Sequence, residues 1–227
     1  MKYNPHEYQT YATNFILAHS VSAILLDMGL GKSVITLTAI KALMYDSFEV
    51  SSVLVIAPLR VATQTWPDEI EKWEHLHDLT YAVAVGTEAE RRFQLRRNVD
   101  IHIINRENVK WLIEDSGIPF NYDMVVIDEL SSFKSHQAKR FKALMKVRPT
   151  VKRIVGLTGT PSSKRHRCTS HQGLPRSTTF FETSPAYTRL RHRGSQVGQT
   201  QAFSSGQNHQ ERKRTRRCGT LSPLRLV

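Results

Sequence analysis

The sequence predicts an α/β protein, a parallel sheet with helices on both faces, followed by a tail that cannot build a core. Three observations predict it. Short apolar runs rich in Val and Ile recur along the first part of the chain, amphipathic stretches of helical spacing lie between them, and both patterns stop after Ser163.

The runs Ser22–Leu26, Val53–Ala57, Tyr81–Val85, Ile101–Ile104, Met124–Ile127 and Ile154–Leu157 each read as a buried strand bounded by polar, Gly or Pro residues. Leu37, Ile40 and Met44 fall on one helical face after the first strand. Trp66, Ile70 and Trp73 do so after the second, where Pro67 marks a restart or a kink. The two tryptophans read as core anchors rather than base-stacking platforms. Val109, Leu112 and Ile113 follow the fourth strand, and Phe141, Leu144 and Met145 the fifth. Strand–helix alternation of this kind is the pattern of parallel sheets, whose crossovers cover both faces.

Residues 164–227 contain no Ile, Met or Asp, and too few apolar side chains to offset chain entropy, which predicts a mostly disordered tail. They hold 13 of the 32 lysines and arginines but only Glu182 and Glu211 of the 20 acids, leaving 19 basic and 18 acidic residues in 1–163. Of the net charge of +12, the tail carries +11, so it does not argue for nucleic-acid binding by the folded part. The expected division is one domain over 1–163 and a basic tail over 164–227, the latter reading as the end of a truncated or frame-shifted product. The run from Glu211 to Arg217 reads as a solvated basic stretch. Cys168, His171, His209 and Cys218 lack the spacing of a zinc site, and two cysteines make no disulfide framework. No apolar run approaches the roughly 20 residues of a membrane span, and no signal-peptide core opens the chain. The expectation is a monomer without a membrane or disulfides, in the cytoplasm, and nucleoid-associated or nuclear when acting on DNA.

The first strand leads into Asp27-Met28-Gly29-Leu30-Gly31-Lys32-Ser33, and a helix follows. Two glycines let backbone N–H groups turn toward phosphate oxygens, and the helix presents its positive end to the anion. In such a loop Met28 to Ser33 bind the triphosphate of ATP, Lys32 reaches its β- and γ-phosphates, and the Ser33 hydroxyl ligates Mg²⁺. Leu26 stands where the strict Gly-x-x-x-x-Gly-Lys-Ser/Thr pattern wants glycine. The fifth strand delivers Asp128-Glu129 to its C-terminal end, where ligands of parallel sheets sit. There Asp128 suits a Mg²⁺ ligand and Glu129 a general base for water.

Several blocks together resemble the N-terminal RecA-like lobe of superfamily-two helicases, in the Swi/Snf-like DNA-translocase branch. Asp27 to Ser33 resembles that branch's D-E-M-G-L-G-K-T loop. Val53 to Leu59, with Trp66, Glu69 and Lys72-Trp73, resembles its second block. Asp128-Glu129 stands where the D-E-A-H box stands, and Leu157-Thr158-Gly159-Thr160-Pro161 matches L-T-G-T-P. Tyr8-Gln9 resembles the adenine-reading glutamine. The resemblance covers about residues 3–163. It implies a P-loop ATPase using ATP and Mg²⁺, with Lys32, Asp128 and Glu129 catalytic, Thr158, Gly159 and Thr160 coupling ATP state to DNA contacts, and double-stranded DNA as partner of the complete motor. Arg60 lies in a block that resembles a DNA-facing loop, with a solvated surface arginine an equal reading; Arg106, after the fourth strand, has the same two readings, the solvated one slightly favoured. Leu130-Ser131 replace the Ala-His of the box, so its usual coupling histidine is not carried over.

The family's second lobe supplies arginines to the γ-phosphate, and no strand–helix pattern for such a lobe follows Ser163. The expectation is thus ATP binding with negligible turnover. Two other readings stay open, a basic nucleic-acid-binding protein whose phosphate loop is vestigial, and a different P-loop enzyme such as a small-molecule kinase.

Overall fold

The computed structural model describes residues 1–130 and 139–159. Expectations for Ser131, Thr160, Pro161, the candidate zinc residues and the tail lie outside the described residues.

Six strands form one sheet in the order β1-β6-β5-β2-β4-β3, and every neighbouring pair is parallel. The strands are β1 (Val21–Leu25), β2 (Val53–Ala57), β3 (Tyr81–Ala84), β4 (Ile101–Asn105), β5 (Met124–Ile127) and β6 (Arg153–Thr158). β1, β2 and β5 are buried at every residue, as strands covered on both faces must be. Helices α1 (Glu7–Ala18), α2 (Lys32–Lys41), α3 (Trp66–Lys72), α4 (Glu88–Leu95) and α5 (Lys139–Val147) supply the covering layers.

One core packs α1 through Ala12, Phe15 and Ile16, α2 through Val34, Leu37 and Ile40, and α3 through Trp66 and Ile70, against Val53 and Val55. The opposite face sets Leu54 and Ile56 against Val109, Leu112, Phe141 and Leu144. Successive residues of β2 thus point to opposite cores, as strand geometry requires. Among the described residues no helix is long and apolar enough to cross a membrane.

The local departures from the predicted elements have physical reasons. β1 ends at Leu25, and the carbonyl of the next residue, Leu26, accepts from the Lys32 ammonium at 3.0 Å. β6 begins one residue early, at Arg153, whose buried guanidinium donates to the carbonyls of Ile16, Leu17 and His19 at the end of α1. Those carbonyls have no partner inside their own helix, and the arginine supplies one. Around Pro67 the expected restart is found: a wide π turn over Val61–Thr65 gives way to α3, where Pro67 sits in the first turn and needs no amide proton. Met145 is 37% exposed, and Ala143 takes the inward place beside Leu144.

Candidate functional site

The register brings three chain exits to one edge of the sheet. Leu25 pairs with Thr158 and Ile127 with Gly156, so the loop after β1, the residues after β6 and the acid pair after β5 emerge side by side. Gly29 and Gly31 both take left-handed backbone, with φ of 83° and 74°. A side chain would be strained at either, so the loop needs glycine at both positions. Gly31 directly precedes α2, whose free N–H groups open toward the loop. Met28 stands 91% exposed at the loop tip, and the Leu30 carbonyl accepts from the Tyr8 hydroxyl at 3.3 Å. Ser33 lies in the first turn of α2.

Lys32 folds back over its own loop and donates to the carbonyls of Leu26 and Asp27, both at 3.0 Å. Burial pushes its pKa below the ordinary lysine value, while Asp128, Glu129 and Asp27 pull it back up. Gly159 closes the third side: a Cβ placed on it would stand 3.8 Å from Lys32 Nζ, 3.6 Å from the Leu26 oxygen and 3.5 Å from Met28 Cγ. Thr158, buried, is the last residue of β6.

Asp128 receives two hydrogen bonds. The Trp66 indole N–H donates to Oδ2 at 3.0 Å and the Glu129 amide to Oδ1 at 2.9 Å. Burial raises the Asp128 pKa, and these two donors together with Lys32 oppose that shift. Glu129 itself sits at φ 59°, a left-handed conformation that a non-glycine residue adopts at a cost.

Gln9 is buried, and its Oε1 accepts the His6 amide at 2.9 Å, capping the start of α1. Its Nε2 lies against the phosphate-loop candidate, where a Cβ on Gly31 would approach to 2.7 Å. Gln9 therefore joins the loop through its amide nitrogen while the oxygen serves the helix. Arg60 and Arg106 follow β2 and β4 at the same edge, on the far side of β5 from Lys32. Arg60 is exposed and donates to Gln64 at 3.3 Å, and Arg106 pairs with Glu107 at 3.1 Å. The structure brings Lys32, Asp128, Glu129 and Gly159 to one rim of the sheet, with Arg60 and Arg106 following the next strands, β2 and β4, on the side of β5 away from β1.

The donor set suits magnesium. Among the described residues no three His, Cys, Asp or Glu side chains gather into a metal-binding group. Mg²⁺ in nucleotide sites needs only one or two carboxylates, the rest of its shell being phosphate oxygens and water. Asp128, beside a loop with two left-handed glycines that opens onto the start of α2, fits that requirement.

Sequence reasoning places Trp66 in the core, which holds, but misses its bond to Asp128. Its signal lay in chemistry rather than spacing, because a fully buried indole N–H needs an acceptor.

Residues 6–167 match the SNF2-related domain. The protein p41 of Acyrthosiphon pisum secondary endosymbiont phage 1 is 36% identical over 166 residues, covering 70% of this chain and 36% of the phage protein. The SWI/SNF-related matrix-associated actin-dependent regulator of chromatin subfamily A-like protein 1 of Xenopus laevis is 28% identical over 160 residues, or 15% of its length. Nuclear protein STH1/NPS1 of Saccharomyces cerevisiae is 29% identical over 163 residues, or 12% of its length. The solved SWI2/SNF2 ATPase core of Sulfolobus solfataricus in complex with dsDNA superposes with a TM-score of 0.60 at 26% identity, covering 73% of this chain and 34% of that one. The chain thus spans about a third or less of the length of these relatives.

Proposed function

The chain belongs to the SNF2-related domain family, and from that premise we propose that residues 1–163 are the ATP-binding lobe of a DNA-dependent ATPase that moves on duplex DNA. One observation carries the reading: Lys32, Gly159 and the Asp128–Glu129 pair meet at one edge of the sheet, around a loop whose two glycines are left-handed.

In this reading the loop amides from Met28 to Ser33 and the end of α2 hold the triphosphate, and Lys32 exchanges its carbonyl partners for β- and γ-phosphate oxygens. Asp128 and the Ser33 hydroxyl hold Mg²⁺, which neutralises developing charge on the phosphates. Glu129 accepts the proton of the water that attacks the γ-phosphorus. Gln9, whose amide nitrogen lies against Gly31, takes the adenine-reading role in this reading. Thr158, Gly159 and Thr160 carry the coupling role, with Gly159 placed to feel Lys32 move.

DNA is the proposed partner. The Sulfolobus core was solved on double-stranded DNA, and Arg60 and Arg106 lie on the sheet edge beyond the nucleotide groups. Each suits a phosphate contact, which positions a duplex without reading its sequence.

We further infer that this lobe by itself binds ATP and turns it over slowly. In P-loop enzymes an arginine reaching the γ-phosphate is worth about 10³–10⁵ in rate, and the family resemblance assigns that arginine to a second lobe rather than to residues 1–163.

The test is a nucleotide titration with and without Mg²⁺, on the full chain and on 1–163. Saturable, Mg²⁺-strengthened ATP binding by both supports the assignment, and binding by neither refutes it. Steady DNA-stimulated hydrolysis abolished by Lys32→Ala would refute the slow turnover alone.

A further inference from the structure

Trp66 opens α3 and is 0% exposed, packed in the core that α1, α2 and α3 share. A buried indole N–H has to find an acceptor, and a backbone carbonyl is the usual one. Here the acceptor is a carboxylate 62 residues away in sequence, Asp128 Oδ2 at 3.0 Å. The other oxygen, Oδ1, takes the Glu129 amide at 2.9 Å. With one N–H on each oxygen, the carboxylate cannot rotate about its Cβ–Cγ bond without losing a hydrogen bond. Each oxygen still keeps a second acceptor site. The two donors differ in firmness. Glu129 is the neighbouring residue and sits in strained backbone, whereas the indole is wedged among core side chains such as Ala62 and Ile70.

We propose that Trp66 is a positioning residue for Mg²⁺-dependent nucleotide binding: its indole N–H fixes the plane of the Asp128 carboxylate in the orientation that receives the metal. This rests on the reading of Asp128 as the Mg²⁺ ligand given above. Hydrogen-bond partners of metal-binding carboxylates set ligand orientation, and their loss typically costs about 10–100-fold in metal affinity. The arrangement also ties α3, and through it the segment from Arg60 to Thr65, to the metal carboxylate.

The test uses the full chain and two readouts. In nucleotide titrations, Trp66→Phe keeps most of the ring volume and removes the N–H. The Mg²⁺ concentration that half-saturates the Mg²⁺-dependent gain in ATP affinity should rise about tenfold. ATP affinity without Mg²⁺ should change by less than about twofold, since nothing in the phosphate loop is altered. An unchanged Mg²⁺ requirement overturns the proposal. So does an equal loss with and without Mg²⁺, which is the mark of damaged packing.

The second readout does not depend on the folding of that variant. The chain has three tryptophans, so the indole resonance of Trp66 is assigned by elimination with Trp73→Phe and Trp111→Phe. Asp128→Asn should shift that resonance upfield in the absence of ligand. Mg²⁺ added to the ATP complex should move it more than the other two. A Trp66 resonance that ignores both changes overturns the proposal. Wild-type protein that binds no nucleotide under either condition instead overturns the site reading, and this inference falls with it.

Discussion

The Lys32 ammonium lies 3.0 Å from the carbonyl oxygen of Leu26, the last residue before its own loop. A second bond, to the Asp27 carbonyl, completes a closed arrangement in which the lysine satisfies the loop from inside. In the proposed reading nucleotide binding breaks both bonds, so part of the affinity of Lys32 for phosphate is spent on releasing these carbonyls. Lys32→Ala is expected to lower ATP affinity at least about tenfold, the scale of one charge-assisted hydrogen bond. Its melting temperature should move little, because the lost bonds are local. Equilibrium nucleotide binding and thermal denaturation on one preparation check both parts.

Gly31 and Gln9 form a second coupled pair. Gly31→Ala forces a Cβ onto left-handed backbone and to 2.7 Å from Gln9 Nε2. The backbone strain alone costs about 1–2 kcal/mol, and the displaced Gln9 loosens the cap of α1. The variant should melt earlier and bind ATP more weakly, whereas Gln9→Ala should lose stability of about 1 kcal/mol together with preference for ATP over GTP. Competition between the two nucleotides measures the second effect. Unaltered preference in Gln9→Ala would remove that residue from adenine recognition.

Glu129 has φ 59°, so replacing it separates backbone strain from chemistry. Glu129→Gly should be more stable than Glu129→Ala by about 1 kcal/mol, although glycine normally costs more chain entropy. Both variants remove the proposed base and should be equally unable to hydrolyse ATP. Denaturant unfolding of the two proteins side by side gives the difference, and equal stability would mean that the left-handed conformation carries no strain.

Asp123 supplies a pH dependence at the opposite edge of the sheet. Burial raises its pKa, but hydrogen bonds from Lys152 and from the amide and hydroxyl of Ser51 outweigh that and hold it at about 2. A carboxylate depressed in the folded state contributes stability that is fully present above the unfolded value and lost as pH falls through the folded one. The window therefore runs from about pH 4 down to about pH 2. Asp123→Asn should cost about 1 kcal/mol near neutral pH after discounting for solvent screening, and the gap from wild type should close across that window. A gap that stays constant with pH would refute the linkage.

Much of this architecture was legible in the sequence. All six strands occur where apolar runs of Val and Ile stand, because buried parallel strands need a continuous apolar surface on both faces. α4 was not legible. It covers the edge beside β3, buries only Leu95, and owes its start to Thr87 and Glu90, whose side chains cap each other's amides. At the site, glycine spacing and the acid pair pointed to the residues that meet at the edge. What no periodicity could give was the set of partners made by folding: Trp66 on Asp128, Gln9 on Gly31, and Gly159 beside Lys32.

Convergence of Lys32 and Asp128 on one bound triphosphate is tested most directly by a double-mutant cycle in Mg²⁺–ATP affinity. It compares wild type, Lys32→Ala, Asp128→Asn and the double variant. If both groups act on the same phosphates and metal, their effects are coupled, and the double variant loses far less than the product of the single losses, by a factor of about three or more. Strictly multiplicative losses would place the two side chains at independent sites and contradict the account.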